Sequence, residues 1–193
     1  MLRRHGTALL PLLLMAALSG CVSLPNPPQN SVTARPLTAA IIDFELAGRI
    51  SVRHGDAHYV ANIAWQHDAV HDEILLSTPL GQGLAELSRD STGARLRTAD
   101  QRRIDATDWE DLALQAFGAE LPLAMLPRWI VADAPAGARR DAAGRPLSFS
   151  QDGWSVAYRG YASEAAEALP QLIDIRREDI ELRLKIDAWQ RAR

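Results

Sequence analysis

Phe44-Glu45-Leu46-Ala47-Gly48-Arg49-Ile50-Ser51-Val52-Arg53 and, after the turn His54-Gly55-Asp56, Tyr59-Val60-Ala61-Asn62-Ile63-Ala64-Trp65-Gln66-His67 decide the fold. Phe44, Leu46, Ile50 and Val52 share one parity, while Arg49 and Arg53 hold the other. Ala61, Ile63 and Trp65 repeat the pattern. A period of two with one apolar and one polar face marks half-buried antiparallel strands.

The pattern continues downstream. Ile74–Ser77, Leu84–Leu87 and Ala94–Arg97 read as short strands. Asp68-Ala69, Pro79-Leu80-Gly81, Ser91-Thr92-Gly93 and Asp100-Gln101 read as the turns between them. Leu147 and Phe149, then Trp154, Val156 and Tyr158, flank the turn Gln151-Asp152-Gly153. Ile173 and Ile175 face Ile180, Leu182, Leu184 and Ile186 across Arg177-Glu178-Asp179, and Trp189 closes the domain. Short links at near-regular spacing describe a meander.

In the middle the period changes. Trp109, Leu112, Ala113, Ala116 and Phe117 recur at helical spacing. Thr107 with Glu110 reads as a capping box, and Gly118 as the stop. A second helix is predicted to start at Pro122 and carry Leu123, Leu126, Trp129 and Ile130, kinked by Pro127. Ala134–Gly144 reads as a loop of small and polar residues.

Upstream lies a different kind of sequence. Arg3 and Arg4 precede an apolar stretch of about a dozen residues, too short to span a bilayer, which needs about 20. The stretch ends at Leu18-Ser19-Gly20-Cys21, which reads as a lipobox. Residues 1–20 are therefore expected to be a cleaved signal. Cys21, the only cysteine, is the expected lipidation site, and no intrachain disulfide can form. No aspartate follows Cys21, which favours the cell outer membrane over the inner. Residues 21–38 read as a lipidated cysteine with a proline-rich tether that could stretch to roughly 50 Å. Residues 39–193 form one domain. The formal charge of −3, more negative once Arg3 and Arg4 leave, argues against nucleic acid as a partner.

Marks of catalysis are missing. There is no nucleophile elbow, zinc-protease helix, phosphate loop or dinucleotide fingerprint, so no enzyme and no cofactor is expected. His54, His58, His67 and His71 fall close together, but turns break their faces; they read as solvated turn and strand-end residues, not a metal site. Asp56, Asp68 and Asp72 read as turn residues.

Several islands are similar to the LolB family of outer-membrane lipoprotein receptors. They are Phe44-x-Leu46-x-Gly48-Arg49-Ile50, Ala64-Trp65-Gln66 and Ile74-Leu75-Leu76-Ser77-Thr78-Pro79-Leu80-Gly81. Leu121-Pro122-Leu123-x-x-Leu126-x-x-Trp129-Ile130, Gln151-Asp152-Gly153-Trp154-x-Val156-x-Tyr158 and Leu182-x-Leu184-x-Ile186-x-x-Trp189 follow in the family's order. One departure is Val131-Ala132-Asp133-Ala134-Pro135, where a glycine is expected before the proline.

The resemblance implies a mainly β domain with inserted helices: an incompletely closed antiparallel barrel of about ten or eleven strands, its helices lidding an apolar cavity. Such a receptor would take lipoproteins from the soluble periplasmic carrier LolA, hold their acyl chains, and insert them into outer-membrane phospholipid without a nucleotide. It would act as a monomer. The residues expected to line the cavity are Phe44, Leu46, Ile50, Ile63, Trp65, Leu76, Leu87, Leu96, Trp154, Val156, Ile175, Leu184 and Ile186 on strands. Leu112, Phe117, Leu126, Trp129 and Ile130 on helices would cover it. An ordinary core has the same binary pattern, so these residues fit either role.

Leu80 is the sharpest single expectation. It sits where a turn is normally polar, stiffened by Pro79 and Gly81. In the family the apolar residue of this loop contacts the membrane and serves insertion, not uptake. The alternative is a leucine folded back on the core. A non-transport envelope-assembly or structural lipoprotein with the same anchor is the competing function; an envelope hydrolase would need convergent polar side chains, and none is nominated.

Overall fold

The computed structural model describes residues 43–190. Cys21, the expected signal and the expected tether lie outside the described residues. The alternating stretches are all strands. The first six run as a meander: β1 Phe44–His54, β2 Ala57–His67, β3 Asp72–Ser77, β4 Gly83–Asp90, β5 Gly93–Thr98 and β6 Arg103–Ala106. Two helices follow, α1 Trp109–Phe117 and α2 Leu126–Ile130. A second meander returns through β7 Arg139–Arg140, β8 Pro146–Gln151, β9 Trp154–Tyr161, β10 Pro170–Arg177 and β11 Ile180–Gln190.

All eleven strands form one antiparallel sheet in the order β6-β5-β4-β3-β2-β1-β11-β10-β9-β8-β7. Only the β1–β11 seam joins strands distant in sequence. The sheet is open: β6 and β7 are its free edges, and the helices lie in the chain between them. The seam depends on Gly48. A Cβ there would meet the Lys185 carbonyl oxygen at 2.1 Å, and the β1–β11 register slips beside it. Only glycine lets the two backbones approach so closely.

The concave face collects the apolar parity of both meanders. Trp65, Val156, Ile173, Ile175, Leu182, Leu184 and Ile186 are buried there with Leu112, Trp129 and Ile130 from the helices. Burying each such side chain is worth about 1.5–3 kcal/mol. Trp129 meets Phe149 edge-on, and its carbonyl accepts from the Tyr158 hydroxyl at 2.7 Å. This pins α2 to β9. Helix α1 packs on β5 and β6.

The helices depart from expectation at their starts. Asp108, not Thr107, caps α1: its backbone is extended, and its carboxylate accepts from the Asp111 amide at 2.8 Å. The Asp111 carboxylate in turn accepts from the Thr107 amide, so the reciprocal box is displaced by one residue and excludes Glu110. Gly118 ends the helix as expected, with φ 66. The second helix begins at Leu126 rather than Pro122, after a turn closed by Leu126 N–H donating to the Pro122 carbonyl. Pro127 lies in its first turn, where a missing N–H costs nothing, so it produces no kink. The expected loop Ala134–Gly144 contains the short edge strand β7.

Candidate functional site

Strand register arranges the concave face of the first meander in three rows. The row at one end is Phe44, His67, Asp72, Arg89, Ala94 and Ala106. The middle row is Leu46, Trp65, Ile74, Leu87, Leu96 and Ile104. The row at the other end is Gly48, Ile63, Leu76, Ala85 and Thr98.

The first row is polar and locked. The Asp72 side chain is 1% exposed. Its carboxylate accepts from Trp65 Nε1 at 2.9 Å, Arg89 Nε at 2.6 Å and Trp109 Nε1 at 3.3 Å. His67 Nδ1 lies 2.7 Å from Oδ1, the oxygen that Trp65 also reaches, while Arg89 and Trp109 meet Oδ2. Burial pushes the Asp72 carboxyl up, but the hydrogen bonds from His67, Trp65 and Arg89 outweigh it and hold it below the ordinary value. Two sequence expectations are corrected here. Asp72 is the first residue of β3, not a turn residue, and His67 is not solvated, its side chain being 14% exposed. A buried carboxylate needs partners, and β2, β4 and α1 supply them. A polar recess of about 440 Å³ opens at this end of the strands, bordered by His67, Asp68, His71 and Arg89 and, from the opposite parity, by Glu73 and Glu86. Among the described residues no group of three or more His, Cys, Asp or Glu side chains could hold a metal ion.

The other two rows leave a hollow. An apolar space of about 170 Å³ is lined by Leu76, Ala85, Leu87, Leu96, Ile104 and, from the last turn of α1, Ala116 and Phe117, with Thr98 and Arg102 at its polar edge. Among the residues nominated from sequence, Leu76, Leu87, Leu96 and Phe117 border this hollow. Phe44, Leu46, Ile63, Trp65, Leu112, Leu126, Trp129, Ile130, Trp154, Val156, Ile175, Leu184 and Ile186 are buried in the surrounding core, and Ile50 packs partly buried against it. Ala85, Ile104 and Ala116 border it too and were not nominated. Alternation marks all three; small size and a charged neighbourhood hid them.

The Pro79-Leu80-Gly81 loop lies at the hollow end. Gly81 N–H donates to the Thr78 carbonyl at 2.9 Å, and Thr78 N–H to the Gln82 carbonyl at 2.8 Å. Pro79 fixes one corner, and Gly81 takes φ 85, which side-chain-bearing residues resist. The Thr78 hydroxyl accepts from Gln82 N–H, and Asn62 from β2 donates to the Thr78 carbonyl at 3.0 Å. The hairpin is stiff from both sides. Leu80 at its tip is 91% exposed.

An open half-barrel with an apolar concave hollow and an apolar residue presented on a braced loop is the class of protein described. The model of the family described as "Outer membrane lipoprotein LolB" matches residues 42–189, and the chain belongs to that family. Curated relatives named outer-membrane lipoprotein LolB agree. The one from Azoarcus sp. (strain BH72) is 38% identical over 178 residues, covering 91% of this chain and 90% of its own. The one from Thiobacillus denitrificans is 38% identical over 182 residues, covering 91% and 93%. That from Nitrosomonas europaea is 39% identical over 153 residues, covering 76% and 72%. A LolA superfamily crystal structure, also from Nitrosomonas europaea, overlaps with a TM-score of 0.42 at 6% identity, covering 78% of this chain and 86% of its own. Family membership carries an outer-membrane location and a role in lipoprotein localisation. Among the described residues no helix is long and apolar enough to cross a membrane.

Proposed function

We propose that this domain receives lipoproteins from the carrier LolA, shelters their acyl chains against the hollow, and releases them into outer-membrane phospholipid through the Leu80 loop. Lipidated Cys21 keeps it at the membrane, and the transfer requires no catalysis. The observation that carries the reading is placement. Leu80 is fully presented on a braced hairpin whose two strands, β3 and β4, supply Leu76, Ala85 and Leu87 to the hollow. Cargo site and exit therefore share one hairpin.

The hollow, at about 170 Å³, is smaller than the roughly 300–1,000 Å³ of ordinary ligand sites. Uptake then requires α1 to move outward. Its last turn supplies Ala116 and Phe117 as the cover, and Phe117 is already partly exposed. Handover needs only graded affinity: each tenfold preference along the route corresponds to about 1.4 kcal/mol.

The test mixes carrier loaded with a radiolabelled lipoprotein, the full chain, and phospholipid vesicles. Leu80→Glu is expected to strip cargo from the carrier at the normal rate and deliver about tenfold less of it, since an apolar contact worth up to ~1.5–3 kcal/mol is replaced by a charge. Ala85→Trp, which fills the hollow, is expected to lose uptake while remaining folded. Normal delivery by Leu80→Glu would sink the loop assignment. Normal uptake by Ala85→Trp would favour the second reading, a non-transport envelope-assembly lipoprotein, which the well-packed interior beyond the hollow also suits.

A further inference from the structure

Two arginines of the first meander face inward, one at each end of the strands. Arg89 lies in the locked row, its Nε 2.6 Å from the buried Asp72 carboxylate. Arg102 lies at the hollow end. The turn from β5 to β6 sets it opposite Thr98: Thr98 N–H donates to the Arg102 carbonyl at 3.0 Å, and Gln101 N–H to the Thr98 carbonyl at 2.9 Å. Ala99 N–H donates to the Leu84 carbonyl of β4 at 2.9 Å, which ties the turn to the sheet. Thr98 stands level with Ala85 in the inward row. Opposite residues of an antiparallel pair share a face, so Arg102 joins that row and borders the hollow next to Ile104.

No acid answers this arginine. The outward arginines of β5 and β6 are all paired, Arg95 and Arg103 with Asp105 and Arg97 with Glu86. Arg102 is exposed, and among the described residues its guanidinium has no hydrogen-bonded or ion-paired partner. Asp100, in the same turn, accepts from the Thr98 hydroxyl and feels Arg102 only at longer range.

We propose that Arg102 and the hollow form a site for a single-chain anionic amphiphile, a fatty acid or a lysophospholipid. Its chain lies in the hollow and its carboxylate or phosphate lies on the guanidinium. This rests on the reading of the hollow as an acyl site. Three features select the ligand. Apart from Thr98 and Arg102 the lining is hydrocarbon, and each methylene buried there strengthens binding about fourfold. The space, about 170 Å³, falls below the roughly 300 Å³ at which ordinary ligand sites begin, so it takes the end of one chain rather than several side by side. The guanidinium is a planar fork of donors that matches carboxylate and phosphate, whereas an alcohol or ester head leaves its charge unanswered. Such a ligand fits with α1 in place, while bulkier cargo needs α1 moved. It therefore competes with cargo for the closed hollow.

The experiment uses the full lipidated chain in phosphatidylcholine nanodiscs, whose lipids carry no net charge. Three probes with the same chain, each bearing a diazirine at the chain end, are compared at equal content in the bilayer: lauric acid, lauroyl lysophosphatidylglycerol and lauryl alcohol. Crosslinked peptides are quantified by mass spectrometry. Expected is labelling of Leu76, Leu87, Leu96 and Ile104 by one or both anionic probes, about tenfold above the alcohol. The better of the two anions assigns the head as carboxylate or phosphate. Arg102→Gln should bring the anionic probes down to the level of the alcohol, and Arg102→Lys, which keeps the charge, should retain most of the labelling. Ala85→Trp should abolish labelling of the hollow by all three. Equal labelling by acid and alcohol, or anionic labelling unchanged in Arg102→Gln, would overturn the site and leave Arg102 a charge that guards the sheet edge. Cargo uptake without labelling of the hollow by any probe would overturn the site and leave the transport reading standing. Labelling that depends on Arg102 in a chain that takes no cargo would overturn the transport reading and leave the site.

Discussion

The two ends of strands β2, β3 and β4 are built from opposite materials. At one end Asp72 is sealed among Trp65, His67, Arg89 and Trp109, every donor aimed at one carboxylate. At the other, Leu76 and Ala85 face a void and Leu80 faces solvent. The strands are continuous between them. Stability is concentrated where polar groups are fully satisfied, and the looser end is free to give way. Trp109 also makes the locked end the fixed point of α1: its first residue is tied to Asp72, whereas its last turn only covers the hollow. A helix held at one end and lightly packed at the other can swing.

Breaking the locked end should have the largest effect. Asp72→Ala leaves Arg89, whose side chain is one quarter exposed, without its partner and two buried indole N–H groups unsatisfied. Loss of about 3–5 kcal/mol is expected in urea unfolding, mostly from the stranded buried donors at about 1–3 kcal/mol each. The same residue gives the pH dependence its sign. Its folded carboxyl titrates below the ordinary value, so its contribution is complete above an unfolded pKa of about 3.9 and is lost as pH falls through the folded pKa. The gap between wild type and Asp72→Ala should therefore be constant near neutrality and close as the solution is acidified below about pH 4. A gap that widened on acidification would contradict this account.

The next test compares successive inward positions on β3. Ile74 is buried in the middle row, while Leu76, one step toward the loop, borders the hollow. Ile74→Ala should cost about 2–5 kcal/mol, transfer and cavity terms together. Leu76→Ala should cost about half as much, because part of its surface has no packing partner to lose. Equal costs would mean that the hollow closes in solution and that the two ends are equally packed.

Much of this contrast could be read from the chain, and the unread part has a common cause. Alternation disclosed every long strand, because each has a buried parity. It missed β6 and β7. Arg103-Ile104-Asp105-Ala106 offers one large apolar residue and Arg139–Arg140 none, as suits charged strands at sheet edges. Leu80 stood out because a leucine between proline and glycine has no local reason to be there. Asp72 did not, because an aspartate near Asp68 resembles any turn residue. Its role comes from Arg89 and Trp109, 17 and 37 residues away, and no local pattern carries such a pairing. The hollow hid for a related reason. Leu76 and Ile74 have the same parity and the same chemistry; only the placement of α1 decides which of them meets a neighbour.

The smallest expected effect lies outside both ends, after α2. The family pattern led to an expected glycine before Pro135 in the stretch Val131–Pro135, which holds none; the left-handed residue of that stretch is Ala132. Ala132 adopts φ 62, a left-handed conformation that a Cβ disfavours by about 1–2 kcal/mol. It follows Val131, the last cap residue of α2, at the position where helices commonly turn left-handed to satisfy their final carbonyls. That is what happens here: Ala132 N–H donates to the Trp129 carbonyl at 3.0 Å and Asp133 N–H to the Arg128 carbonyl at 2.9 Å. Arg128 also holds the Asp133 carboxylate at 2.8 Å, so the turn is closed by backbone and side chain together. The surrounding bonds impose the geometry on a residue that resists it. Ala132→Gly removes the steric penalty but adds freedom to the unfolded chain, which costs about 0.4–1 kcal/mol in return. Ala132 is buried, so losing its methyl offsets about a further 0.8 kcal/mol, and a net change of less than about 1 kcal/mol should remain, visible as a urea midpoint that barely moves with an unchanged slope. Because α2 is fixed to β9 through Tyr158 and lies away from the hollow, uptake and delivery should not change. A change in transfer without a change in stability would tie the α2 turn to the working end, and the division between the two ends of the sheet would have to be redrawn to include it.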